Sequence, residues 1–391
     1  MTTIQISGFP SATTLADADI THIKQGTTDK KATMAQIKTA AAVAVKEEGS
    51  TVVAQPKAIN FSGEGVSVTD DSGVADVAII AGSSEDNLII NGNFDIWQRG
   101  TSFTYTNSFA PSYADRWRVQ GTGGGTVSRQ NHVLGQTDVP GEPAHFLRTT
   151  GGSGAISVIQ LVEGARSLAG RTITVSFYLR TASATSVRTQ VIQRFGIGGS
   201  GDVTQAASFE SATVGAFAKH SFTYTTAGLS GKTIGTGSHT YISIESNSTP
   251  NNFDISQVKV EIGDTATPFK RRHPSEELAL CQRYYQKTYE LDVFPGDTSE
   301  NKEGAFFGVV VGGASTIGSY HGPVRMRDTP SVTFYSARTG GASGTFWDVL
   351  SNTDKAVTAV ASGETGTGVN LNVAASTTTT MGGHIVLDAE L

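Results

Sequence analysis

Asn91-Gly92-Asn93-Phe94-Asp95-Ile96-Trp97 opens the block of sequence that decides the fold. Beyond it, strand-like runs recur at residues 156–162, 172–180, 186–195, 218–225, 240–245 and 256–262, separated by clusters of Gly, Ser and Thr. That pattern predicts a sandwich of about eight strands occupying residues 87–270. The fold class expected for the whole chain is mainly β: a short N-terminal helical docking segment, a central jelly-roll β-sandwich, one helix and a C-terminal β-sandwich head domain.

Upstream of the opening phrase, residues 47–86 read as a linker. Within it, residues 66–69 and 74–80 flank Asp70-Asp71-Ser72-Gly73 as a β-hairpin would. Residues 1–46 begin with an extended run containing Ile4, Ile6 and Phe9. A turn-rich stretch follows, then a helix over about residues 31–45, with Met34, Ile37, Ala41 and Val45 on one face. So short a stripe suits a docking face better than an independent coiled coil.

Downstream, residues 274–285 predict a helix inside a connecting segment, 271–288. Ser275 is placed at its N-cap, and Glu276 and Glu277 stand in the first turn where the helix dipole favours them. Leu278, Cys281 and Tyr285 share its buried face, so Cys281 reads as core, not nucleophile. Residues 289–391 return to strands at 305–311, 331–336, 345–350, 356–361, 368–373 and 383–391, a second and smaller β domain.

Composition agrees with this modular β reading. Only 16% of the 391 residues are charged, and Gly reaches 45, a balance that favours short strands and turns over long helices. The net charge of −6 leaves no basic surplus for phosphates, so nucleic acid is not an expected partner. A single cysteine excludes an intramolecular disulfide. The start of the chain carries neither a positive segment nor an apolar run, and no stretch of about 18 apolar residues occurs. Export by a standard signal and membrane insertion are therefore not expected, which fits assembly in the cytoplasm and release by lysis.

Several strings imitate catalytic motifs. Gly196-Ile197-Gly198-Gly199-Ser200-Gly201 has the spacing of a dinucleotide fingerprint, but no helix follows to aim its N-terminus at a pyrophosphate. Gly231-Lys232-Thr233 ends like a phosphate-binding loop, yet Thr226 stands where the opening glycine belongs. The eight histidines are scattered, with no pair at metal-ligand spacing, and no Gly-x-Ser-x-Gly frames a serine. No catalytic residue and no metal ligand is assigned. The run Lys270-Arg271-Arg272-His273 reads as a salt-bridging lead-in to the helix.

Two phrases carry a family resemblance. Asn87-Leu88-Ile89-Ile90-Asn91-Gly92-Asn93-Phe94-Asp95-Ile96-Trp97-Gln98-Arg99-Gly100, with Tyr113-Ala114-Asp115-Arg116-Trp117, resembles the start of the jelly-roll module of tailed-phage fibre proteins. Gln257-Val258-Lys259-Val260-Glu261-Ile262-Gly263-Asp264-Thr265-Ala266-Thr267-Pro268-Phe269 and the helix after it are similar to the end of that module. Residues 18–33 resemble the tail-joining segment of such fibres, and Pro323 to Val332 with the terminal Asp388-Ala389-Glu390-Leu391 resemble the end of their distal heads. The resemblance implies a virion tail-fibre, or receptor-binding, protein. It would be a homotrimer held to a tail or baseplate protein by its N-terminus, through Ile4, Ile6, Phe9, Met34 and Ile37. Its distal domain would meet a host-surface glycan or protein, with Tyr320, His321, Tyr335 and Trp347 as candidate contacts. A structural tail component and a polysaccharide-degrading tailspike are the alternatives.

The module also resembles carbohydrate-binding jelly rolls of bacterial glycanases, in which carboxylates of the opening phrase and the last strand hold a structural calcium. Asp95 keeps the first carboxylate, but Ile255-Ser256-Gln257-Val258 lacks both aspartates of the second place. No cofactor is expected, and the departure argues against calcium. Trp97 and Trp117 could stack on sugar rings, but each follows an apolar or strand-like stretch, where a large aromatic closes a core.

Overall fold

The computed structural model describes residues 87–391 apart from 108–112, 249–251, 298–302, 341–343 and 373, and before residue 87 the backbone of six short strands. The chain forms two compact units, Met1–Ile80 and Ala81–Leu391. In the first, three antiparallel pairs occur: β1 (Ile20–Gln25) with β2 (Thr28–Thr33), β3 (Val45–Glu47) with β4 (Ser50–Val53), and β5 (Val66–Asp71) with β6 (Val74–Ile79). The last pair is the expected hairpin. The helix expected over 31–45 does not reach its ends, because Lys31 pairs with His22 and Val45 with Val53, and those strand bonds exclude helical ones. Residues 34–44 with Met34 and Ile37, and the other docking candidates Ile4, Ile6 and Phe9, lie outside the described residues.

Among the described residues, the second unit begins with a sandwich of twelve strands. They are β7 (Ser102–Tyr105), β8 (Trp117–Gly121), β9 (Gly125–Asn131), β10 (His145–Thr150), β11 (Ile156–Glu163), β12 (Thr172–Thr181), β13 (Ser186–Arg194), β14 (Val203–Ala206), β15 (Glu210–Ser211), β16 (Ala218–Thr225), β17 (His239–Ser246) and β18 (Asn252–Ile262). One antiparallel sheet runs β16-β12-β18-β10-β9-β7 and the other β14-β13-β17-β11-β8, with β15 also on β13. Strict alternation, as in β13 with Val187, Thr189, Val191 and Gln193 buried in turn, turns one face of each sheet inward. Phe94, Trp97, Trp117, Val158, Phe177, Ile242 and Val260 fill the space between the sheets. The glycine string at 196–201 is a loop leading into β14, not a helix.

The opening and closing phrases are physically joined. Asn87 donates to Val258 O at 3.0 Å and accepts from Val260 N at 3.0 Å, while Val258 N donates to Gly92 O at 2.8 Å. Asn91 sits at φ 57°, a left-handed conformation that Asn tolerates. From there its side chain accepts from Ile96 N and donates to Ile96 O and Asp115 O. Phe94 is fully buried, and the indole nitrogens of Trp97 and Trp117 donate to Phe94 O and Asn91 O. Both tryptophans are core.

Helix α1 (Pro274–Gln282) is shorter than expected, and its N-cap is His273, with Pro274 in the first turn where a missing N–H costs nothing. Tyr285 belongs instead to β19 (Tyr285–Lys287), paired with the last strand of the chain. Cys281 is fully buried, and burial pushes its thiol well up. The distal sheet continues with β20 (Phe306–Val310), β21 (Thr316–His321), β22 (Ser331–Ser336), β23 (Thr345–Asp348), β24 (Thr353–Gly363), β25 (Gly366–Leu371) and β26 (Thr379–Asp388). β26 is its spine, paired along its length by β19, β20, β22 and β23. Gly383 has no side chain because the Phe346 ring lies where a Cβ would stand, 2.1 Å away. Phe334, Met381, Ile385 and Leu387 complete that core.

A buried charged joint ties the sandwich to the distal sheet. Arg99 reaches Asp115, Asp388 and Glu390 at 3.2–3.4 Å and lies over the Tyr285 ring. Arg116 pairs with Glu390 and lies over Tyr284. Arg99 and Arg116, both from the opening phrase, therefore hold Asp388 and Glu390, and Asp115 fixes Gln98 and Arg99 beside them. Among the described residues, no helix is long and apolar enough to cross a membrane.

Candidate functional site

The site follows from an irregularity in β18. In Asn252–Ile262, Phe253 and Ile255 point into the core, and simple alternation would then place Gln257 inward and Val258 and Val260 outward. Gln257 instead takes φ 48°, and the β12–β18 register shifts between Ser176 and Tyr178. The bulge restores phase, so that Val258 and Val260 are also core while Asp254, Ser256, Lys259 and Glu261 emerge on the outer face. Gln257 uses its freed side chain to donate to Pro140 O at 2.7 Å. That bond ties the loop of residues 133–144 down over the outer face of the sheet.

Beneath this loop, Val139, Phe146 and Phe217 form a small buried cluster, with Tyr178 packed against it. The Phe146 and Phe217 rings meet edge to face at 5.4 Å, and His132 touches both, at 4.8 and 5.1 Å. Next to the rings, Asp254 is 1% exposed and binds two guanidinium groups: Arg148 through Nε at 2.7 Å and Nη2 at 2.8 Å, Arg180 through Nε at 3.1 Å and Nη2 at 2.7 Å. Arg180 lies 4.5 Å from the Phe217 centroid and 5.4 Å from that of Phe146. A cleft of about 250 Å³ opens between the loop and this floor, with Gln130, Asn131, Gln136 and Asp138 at its walls.

The cleft is held in shape before any ligand arrives. Gln136 and Val139 exchange side-chain and backbone bonds at 2.7 and 2.9 Å within the loop, and His132 N donates to Ala144 O at its base. His132 Nε2 lies 3.1 Å from Ser256 Oγ. Burial, reinforced by the charge of Arg180, pushes His132 down to about 4, so its ring is neutral near pH 7. Buried aromatic rings, side-chain amides and two guanidinium groups thus converge on one hollow. The arrangement offers binding groups around a fixed shape.

The distal candidates do not converge in this way. Tyr320 and His321 lie on β21, separated from β26 by β25, β24 and β23 in the sheet order. Tyr320 packs against the distal core, while His321 is exposed on a groove of about 310 Å³ floored by glycines. Tyr335, on β22, meets Tyr289 edge to face at 6.1 Å, and Tyr289 stacks on His384. Trp347, on β23, donates its indole N–H to Asn352 at 3.1 Å. A hollow of about 410 Å³ at the far end of β26 includes Asp348, but Leu350 N, Ser351 N and Thr379 Oγ1 already bond to its Oδ1.

Asp95, the carboxylate that the calcium-binding pattern would use, is engaged by protein groups. Burial raises its pKa, but hydrogen bonds from His145 and Asn93 and the charge of Arg271 hold it below the usual carboxylate range. Among the described residues, no three His, Cys, Asp or Glu side chains are grouped to hold a metal ion.

No protein-family model matches the sequence, and no curated protein sequence matches it. Solved structures that match include the enzymatically active domain of tailspike protein 4 of bacteriophage CBA120, over 46% of this chain and 22% of that one, with 14% identity and a TM-score of 0.31. The CBM22-1 xylan-binding domain from a Paenibacillus barcinonensis protein matches over 43% of this chain and 99% of its own length, with 16% identity and a TM-score of 0.29. TmCBM61, solved with beta-1,4-galactotriose, matches over 45% of this chain and 99% of its own, with 14% identity and a TM-score of 0.25.

Proposed function

We propose that the chain is a tail-fibre protein of a tailed bacteriophage that attaches the particle to host-surface glycan without cutting it, and that the jelly roll holds the glycan. One observation carries the reading: the cleft over β9, β10, β12 and β18, where Phe146, Phe217, His132 and two guanidinium groups line a preformed hollow. The fibre assignment rests on the resemblance of the two phrases that bracket this same module. On this reading the first 46 residues dock on a tail or baseplate protein, the chain works as a homotrimer in the virion tail, and the distal sheet extends the contact with the host.

Binding of the purified full-length chain to purified surface polysaccharide, with reducing ends measured in parallel, tests the reading. Saturable binding that Phe217→Ala weakens about ten-fold, with no release of reducing ends, is the expected result. Release of reducing ends by the chain alone contradicts it and favours a depolymerising tailspike. Absence of binding to any host polysaccharide favours a structural tail component.

A further inference from the structure

We infer that the jelly-roll cleft takes a carboxylate-bearing sugar residue and that Arg148 and Arg180 read its charge, an inference that rests on the cleft being the glycan site. Asp254 occupies the inner edge of both guanidinium groups and, as one carboxylate, neutralises only one of them. Nη1 of each arginine makes no hydrogen bond within the described residues, and their side chains are 26% and 28% exposed. No described residue occupies either Nη1, on groups that Asp254 has already fixed in place. Because the side-chain entropy has been lost on folding, an incoming anion does not have to order them.

The chemistry that such donors favour is a planar anion. A sugar hydroxyl accepts a neutral-strength bond, whereas a carboxylate accepts charge-assisted bonds roughly twice as strong. Phe146 and Phe217, both buried, lie beneath the guanidinium groups and support them from below. Asp138, exposed on the cleft wall, is the one lining group that opposes an anion, and it makes no ion pair with either arginine.

The test uses the full chain and fragments of polygalacturonate, hyaluronan and oligosialate, each beside its carboxyl-reduced form, with binding measured by calorimetry at two salt concentrations. At least one acidic fragment is expected to bind about ten-fold more tightly than its reduced form, with the advantage shrinking at high salt. Asn131→Asp, at an exposed position outside the Asp254 clamp, is expected to cut acid binding several-fold, and Asp138→Asn to raise it. Both are surface changes whose melting curves should match the parent. Equal binding of acidic and reduced fragments overturns the inference and leaves the glycan reading standing. Binding of no fragment and of no host polysaccharide overturns both.

Discussion

Asn91 shows how much structure one side chain can carry. It is 1% exposed, left-handed, and uses its amide to close the opening phrase on Ile96 and Asp115. Asn91→Ala loses three buried bonds and places a Cβ-only residue at positive φ, so a loss of about 2–4 kcal/mol is expected in urea unfolding. A loss under about 0.5 kcal/mol, the range of ordinary surface changes, would count against this role. His132 supplies a pH dependence. Its folded pKa, about 4, lies below the ordinary 6.5, so the unfolded chain takes up the proton first as pH falls. Stability from this group is full above pH 6.5 and is lost progressively down to pH 4. Arg148, Arg180, Asp254, His145 and Asp138 set the field around it. Because the ring is partly open to solvent, the loss is about 1–2 kcal/mol. Urea unfolding at pH 7 and pH 4.5 checks it: His132→Gln should flatten the pH slope, and an unchanged slope contradicts the assignment.

Among the elements, long runs were legible and short ones were not. The six runs located for the sandwich are β11, β12, β13, β16, β17 and β18, each with at least two buried apolar residues on its core-facing side. β9, Gly-Thr-Val-Ser-Arg-Gln-Asn, offers only Val127 to the core, and its strand state comes from pairing between β7 and β10. The helix boundary failed for a related reason: Tyr285 fits a helical stripe, yet β26 provides it with strand partners. The cleft was illegible because its residues come from β9, β10, β12, β18 and the approach to β16, and because an outward Phe or Arg on a strand looks like any surface residue. Its one local signal was the break in alternation at Ser256-Gln257, which reveals a bulge. Deleting Gln257 removes the extra residue and leaves Val258 and Val260 facing the core, whereas deleting Lys259, beyond the bulge, turns Val260 outward and Glu261 inward. Cooperative unfolding is expected to survive the first deletion and not the second, and loss of cooperativity in the first alone would contradict the phase argument.

For the whole molecule, the opening phrase carried more than the place where the sandwich starts. Trp97 and Trp117 are core as expected, but the arginines beside them join the sandwich to the distal sheet through Glu390 and Asp388. Glu390→Ala leaves Arg116, 2% exposed, without its carboxylate. A cost of about 3 kcal/mol or more is expected. Calorimetry should then show the distal sheet melting ahead of the sandwich, whereas a single transition at the parent temperature would mean that the joint does not couple them. The distal aromatics Tyr320, His321, Tyr335 and Trp347 are spread over separate strands, while the cleft assembles its groups around one floor. Hydrogen exchange of the full-length chain, with and without saturating host polysaccharide, separates the two sites most directly. Protection concentrated at residues 130–140, 146–148, 178–180 and 217 is the expected result, and protection confined to residues 306–388 would contradict glycan binding by the jelly roll.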